Sequence, residues 1–311
     1  MKYTLPILVM AALLLVGCTA GDLDSAYNGP ADNGDDDIPD DNGDGGLDPF
    51  PGTPDECTPL YPDVRVVAHR GHTQYAPENT LPAYEYAYGL GCTAVEMDIR
   101  HTADGRYVMI HDDTVDRTTN GTGYVDEMTL AEIRALDIDM GWRYGGRWPG
   151  LKVPTFEEAL ELTREYGGEL YLDSKTNEVE GAAQIILEQD MLDSVFIYSS
   201  NADKLERFRD VDPGFRIQPF TEDVQQTLEL IERFDPDPEL FEMDSMLFDA
   251  ALIEVIHEHD ALAHLDLLGV RDVLWVLGYE PAWLEPLQMG VDQLQTDHPE
   301  ELLEYLSTLC E

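Results

Sequence analysis

Short apolar runs alternate with helical patterns from residue 64 onward. The run "VRVVAH" (64–69) reads as a buried strand, and "LPAYEYAYGLG" (81–91) as a helix with glycine past its end. Strand patterns follow at 94–100, 106–112, 169–175, 194–200, 215–220, 240–246, 273–278 and 291–297. Helical patterns lie between them at 129–136, 155–167, 181–190, 202–210, 223–234, 249–259, 280–289 and 299–309. Thr155 followed by Glu158 has the spacing of a capping box. Repeated strand–helix units imply parallel strands joined by right-handed crossovers, and about eight units in this length predict an α/β fold of the TIM-barrel type. Residues 113–154 lack clean periodicity and are expected to form an excursion over the catalytic face.

The first 60 residues follow other rules. Lys2, an apolar stretch from Leu5 to Val16 and then Gly17-Cys18 predict an export signal over 1–18. The stretch is too short for a membrane span. It resembles the lipobox of bacterial lipoproteins, which implies lipid on Cys18 and an exported protein anchored to the cell envelope. Thr19 is not the aspartate associated with inner-membrane retention, so the outer membrane is favoured. Residues 19–60, rich in Asp, Gly and Pro, cannot bury enough apolar surface to offset ordering and read as a solvated tether. The folded domain is then 61–311. The two ends of a closed barrel meet, so Cys57 is expected to bridge Cys310, as export permits.

Charge removes one class of function. Eighteen basic residues, four of them lysine, stand against 64 acidic ones, a formal net charge of −46. A nucleic-acid surface needs a basic footprint, which this composition does not offer.

Strand alternation places the candidate chemistry. In "AVEMDIR" (94–100), Glu96, Asp98 and Arg100 share one face, and Val95, Met97 and Ile99 the other. In "ELYLDSK" (169–175) the polar face carries Tyr171, Asp173 and Lys175. In "RYVMIHD" (106–112) Tyr107, Met109 and His111 align, and "VVAH" ends on His69. Four strands are thereby expected to present these residues at their C-terminal ends, where barrel enzymes keep their sites. Paired buried carboxylates need a cation or basic partners. Glu96, Asp98 and Asp173 form an oxygen-only set that suits one Mg²⁺ or Ca²⁺ ion. His69 and His111 can move protons near neutral pH, and Arg70 and Lys175 can hold an anion. The combination points to phosphodiester chemistry. His72 is expected to be a solvated loop residue, His101 structural, and His298 a turn residue.

"AHRG", "PENT" and "VEMDIRHTADGRYVMIHDDTVDRTTNGTG" together resemble the glycerophosphodiester phosphodiesterases. "VPTFEEAL" and "GVDQLQTDHP" extend the likeness over the folded part. The resemblance implies a (β/α)8 barrel of the PLC-like phosphodiesterase type. It implies His69 and His111 as the catalytic pair, with His111 expected as the acid, and Glu96, Asp98 and Asp173 as metal ligands. Asp173 stands where the family commonly has glutamate. Arg70 and Lys175 become phosphate contacts, and Trp275 a site-lining aromatic, although "WVLG" departs from the usual Trp-Thr-Val-Asn. The implied reaction splits a small glycerophosphodiester into glycerol 3-phosphate and an alcohol, with a glycerol hydroxyl attacking first and water opening the cyclic product. Two alternatives remain: a sphingomyelinase D-like lipase, disfavoured by "PENT" and the long "HDDTVDRTTNGTG", and a non-catalytic envelope protein binding phosphodiesters or polyanions.

Overall fold

The structure, a computed structural model, describes residues 58–310. The leader with Cys18, the linker up to residue 56, and Cys57 lie outside the described residues. Cys310 is disulfide-bonded. Pro59 pairs with Cys310, and the Leu60 amide donates to the Leu309 carbonyl at 2.9 Å, so the two ends of the described chain meet.

Eight parallel strands close on themselves: β1 (Arg65–Ala68), β2 (Ala94–His101), β4 (Glu169–Ser174), β5 (Val195–Ser199), β6 (Arg216–Thr221), β7 (Leu240–Met243), β8 (Leu262–Asp266) and β9 (Gln293–Thr296). Pairing of β1 with both β2 and β9 completes the TIM barrel. The outer layer consists of α1 (Leu81–Gly89), α4 (Phe156–Tyr166), α5 (Val179–Glu188), α6 (Ala202–Val211), α7 (Val224–Arg233), α8 (Ala250–Glu258), α9 (Val270–Val276), α10 (Pro281–Met289) and α11 (Pro299–Thr308). Two short helices, α2 (Leu130–Ala135) and α3 (Gly141–Tyr144), belong to the excursion after β2. Thr155 and Glu158 do form a capping box at α4, and Thr129 with Glu132 forms another at α2.

Alternation along the strands divides the core. Outward side chains such as Val95, Met97, Leu170, Leu172 and Ile197 pack beneath the helices. Inside the barrel, Val67, Ala94, Tyr171, Phe196 and Leu240 fill a small apolar layer. Above it the interior turns polar: Gln218, His264 and Gln293 are all fully buried. The His264 ring shares a hydrogen bond with Gln293 at 2.9 Å, and burial pushes its pKa down to about 3. The unfolded chain takes up a proton below the ordinary value of 6.5 that the folded chain refuses, so stability from this group is complete above 6.5 and falls with pH below it. Between pH 7.5 and 5 the wild-type unfolding free energy should drop relative to that of His264→Gln by about 2 kcal/mol. Parallel pH profiles of denaturant midpoints for the two proteins would contradict this.

Two expectations need correction. Residues 106–112 are not a barrel strand: β3 (Tyr107–Met109) runs antiparallel to β2 after a tight turn in which Gly105 takes a φ of 72°. His111 therefore reaches the site from the loop beyond β3. Residues 273–278 are not a strand either, since α9 covers 270–276. A short apolar run does not by itself distinguish a buried strand from a helix. The barrel strand in its place is "LAHLD", the seventh in chain order, hidden because its inward positions, His264 and Asp266, are polar. Trp275 consequently belongs to α9, stacked on Trp283 at 3.8 Å with Tyr305 beside it at 4.7 Å.

One glycine is required by close packing. Gly71 has a φ of 85°, and a Cβ there would come within 2.6 Å of the Ala83 backbone. The loop it serves is tied to α1 by the His72 amide donating to the Ala83 carbonyl at 2.8 Å. Gly71→Ala should cost at least about 2 kcal/mol, read as a lowered urea midpoint. An unchanged midpoint would show that the loop can yield.

Candidate active site

Neighbouring β2 and β4 are in register at Asp98 and Asp173, and Glu96 lies two residues before Asp98 on the same face. One carboxylate oxygen from each of Glu96, Asp98 and Asp173 lies within 4.8 Å of the others. Glu96 and Asp98 are buried. Asp98 Oδ2 accepts from Asn79 Nδ2 at 2.7 Å and lies 3.2 Å from Arg70 Nε. Its other oxygen, Oδ1, is buried and accepts no hydrogen bond. A buried carboxylate oxygen without a donor is costly, and three convergent carboxylates with such an oxygen among them fit a hard divalent cation. Electrostatics agree. Burial and the Asp98 charge push Glu96 up to about 8, and burial raises Asp173 too. Asp98 goes the other way: burial is outweighed by Arg70 and Lys175, which hold it well below the usual carboxylate range.

The basic residues stand against this trio. Lys175 Nζ lies 2.6 Å from Asp173 Oδ2 and 3.4 Å from Asp98 Oδ1. Arg70 adopts a φ of 55°, which turns its amide toward Glu96 Oε2 at 2.8 Å, while Nη1 donates to Glu78 Oε1 at 3.0 Å. Both expected phosphate contacts thus also serve the carboxylate cage.

Each histidine is oriented by a carboxylate. His69 Nδ1 is 2.8 Å from Asp297 Oδ1, and His111 Nδ1 is 2.8 Å from Asp112 Oδ1. Occupying Nδ1 leaves Nε2 of each ring for a reacting group. At His69, burial and Arg70 oppose the charged ring, but the Asp297 and Glu96 charges win and lift it to about 9. The His111 side chain is about 33% exposed. The ring lies close enough to act electrostatically on both Asp98 and Asp173. Arg117 donates to both oxygens of Glu78 and to Asp112, which joins the excursion to the "PENT" loop.

Several of these positions escaped the sequence reading. Asn79 receives Asp98's amide at 3.1 Å, donates back to its carboxylate, and is itself held by Tyr84 at 2.8 Å. The Asp297 amide donates to buried Asp272 Oδ2 at 2.9 Å, and Asp272 also accepts from the Trp283 indole at 3.0 Å. "PENT" and "TDHP" were visible as motifs, yet only the fold shows that they brace Asp98 and His69. His72 is buried rather than solvated, with Nε2 at 3.4 Å from Glu300. His101 is structural as expected, bonded to Thr176 at 2.7 Å.

Residues 69–301 match the model of the glycerophosphoryl diester phosphodiesterase family. The chain belongs to this family. It is accordingly a phosphodiesterase enzyme. A glycerophosphodiester phosphodiesterase of Caldanaerobacter subterraneus subsp. tengcongensis is 31% identical over 244 residues, which are 76% of this chain and 96% of that one. Human glycerophosphodiester phosphodiesterase 1 is 41% identical over 112 residues, covering 36% of this chain and 34% of its own. Among solved structures, a phosphodiesterase of Oleispira antarctica in complex with the product sn-glycerol-3-phosphate aligns with a TM-score of 0.67 and 25% identity over 78% of this chain and 97% of that one.

Proposed function

We propose that the chain hydrolyses glycerophosphodiesters to glycerol 3-phosphate and an alcohol, aided by one divalent cation and the His69–His111 pair. The observation that carries this reading is the carboxylate trio with its donorless Asp98 oxygen, flanked by two histidines whose Nε2 atoms are left for chemistry. The names of the family's members and the product held by the Oleispira relative support the substrate class.

Glu96, Asp98 and Asp173 would hold Mg²⁺ or Ca²⁺, which when bound supplies positive charge to polarise the phosphoryl group. The other steps fall to the chain's own side chains. Asp297 on Nδ1 strengthens His69 as a base and stabilises the imidazolium it becomes; the ring takes the proton of the attacking hydroxyl in its neutral form, whose share grows as pH rises toward the raised value of about 9. His111, on the more open side, returns a proton to the leaving alkoxide. Lys175 and Arg70 add positive charge beside the carboxylates, where the phosphate's negative charge develops.

The test is a panel of glycerophosphodiesters offered to the purified protein with and without chelator. Metal-dependent release of glycerol 3-phosphate is expected. Release from none of them, with cation in excess, would overturn the reading. We further propose envelope anchoring through Cys18. Cys18→Ser should move the protein from the membrane fraction to the soluble one, and unchanged fractionation would refute the anchor.

A further inference from the structure

Strand order puts β7 and β8 across the barrel from β2 and β4, since three strands separate each pair around the ring. The wall facing the metal-type carboxylates is therefore built by Glu242 of β7 and Asp266 of β8, with Tyr198 of β5 beside them. Its composition is unlike the other wall. Tyr171, Tyr198 and Gln218 all hydrogen-bond Glu242, Gln218 through Nε2 at 3.3 Å. Asp266 accepts from the Leu268 amide at 2.7 Å. Among the described residues, no lysine or arginine pairs with either carboxylate; the basic groups near them are the His264 ring, 3.8 Å from Glu242, and His69, whose charge acts on Asp266. The basic side chains of the mouth are spent on the opposite wall.

A second observation concerns the amides around this wall. Gln218, fully buried and bonded to Glu242 through its nitrogen, leaves Oε1 without a donor. Gln295, about 5% exposed and in register with Asp266, has its side chain against the His264 ring instead. Carboxylates and amide oxygens are all acceptors, so this side of the mouth asks for a group that brings N–H donors and positive charge. A tyrosine face beside it suits a cation as well.

We propose that Glu242, Asp266 and Tyr198 form the head-group subsite, and that the preferred substrate is a glycerophosphodiester whose alcohol carries a primary ammonium, the glycerophosphoethanolamine class. This rests on the phosphodiesterase reading above and names the substrate within it. A quaternary ammonium brings charge but no N–H, and a glycerol head group brings O–H but no charge, so neither satisfies both needs. The electrostatics fit a wall that lacks its counterion. Burial, together with Asp173 at Glu242 and Glu242 at Asp266, pushes the two carboxylates up to about 7 and about 8. A zwitterionic diester also meets less repulsion from a chain of net charge −46 than an anionic one.

The experiment measures kcat/KM for glycerophosphoethanolamine, glycerophosphocholine and glycerophosphoglycerol with the metal-loaded wild type, Asp266→Asn and Glu242→Gln. Both variants keep the acceptor oxygens that hold Leu268 and the tyrosines, and equal thermal midpoints check that they fold. The wild type should favour the ethanolamine diester over the glycerol diester by about tenfold or more. That ratio should fall at least about fivefold in Asp266→Asn, through KM rather than kcat. A wild-type ratio near one, or a ratio surviving both substitutions, overturns the subsite. Equal preference for choline and ethanolamine diesters overturns the primary-ammonium assignment. Hydrolysis of no diester at all overturns the underlying phosphodiesterase reading, and the subsite with it.

Discussion

His69→Asn should lower kcat by about a thousandfold while leaving the fold intact. The side chain ends β1 on the inner face, and Asp297 fixes its tautomer through Nδ1. Removing a positioned acid or base typically costs 10²- to 10⁴-fold, and the proton step proposed for this ring has no understudy on β1. Asparagine can still bond Asp297, so the loop after β9 keeps its partner. Asp297→Asn should give a smaller loss accompanied by a shifted pH–rate profile, because the ring remains while its basicity falls. Each effect is read from initial rates across pH with saturating substrate. Retention of more than about a tenth of wild-type kcat in His69→Asn would remove this residue from the proton steps.

Asp98→Ala should be at least as damaging, and its signature is different. Asp98 is the most constrained member of the trio: buried, held by Asn79 through two hydrogen bonds, and faced by Arg70 and Lys175. Its Oδ1 accepts no hydrogen bond, with Lys175 Nζ 3.4 Å away, and is left open to a divalent cation. Wild-type protein stripped by chelator should regain thermal stability when Mg²⁺ or Ca²⁺ is added, because a ligand bound only to the folded state stabilises it by mass action. Asp98→Ala should lose that rise together with about a thousandfold or more of activity. The thermal shift separates ligand loss from a general catalytic defect, since His69→Asn should keep it. A full cation-induced shift in Asp98→Ala would show that the ion binds elsewhere.

Much of the site was readable because strand geometry obeys a period of two. Once "AVEMDIR" and "ELYLDSK" are taken as strands, Glu96, Asp98 and Asp173 must share the interior, and the structure brings them within 4.8 Å. The same reasoning failed for "RYVMIHD", where a turn at Gly105 sent the chain back antiparallel, although His111 still arrives at the site from the loop. It failed again for "VLWVLG", whose apolar residues serve a helix, which puts Trp275 on α9 rather than on a barrel strand and leaves Asp266 at the C-terminal end of β8.

Local pattern determined the strand–helix alternation, the inward faces of β1, β2 and β4, and the residue types available for metal, proton and phosphate. Those properties depend on neighbours a few residues apart, which the linear order already contains. Tertiary structure alone decided which carboxylates are paired and which are not. Asp297 lies 228 positions from His69, and Glu242 lies 71 from Tyr171, so no local rule could join them. Closure of the barrel joins them, because it brings the ends of all eight strands to one rim and divides that rim into a wall whose carboxylates are matched by Arg70 and Lys175 and a wall whose carboxylates are not.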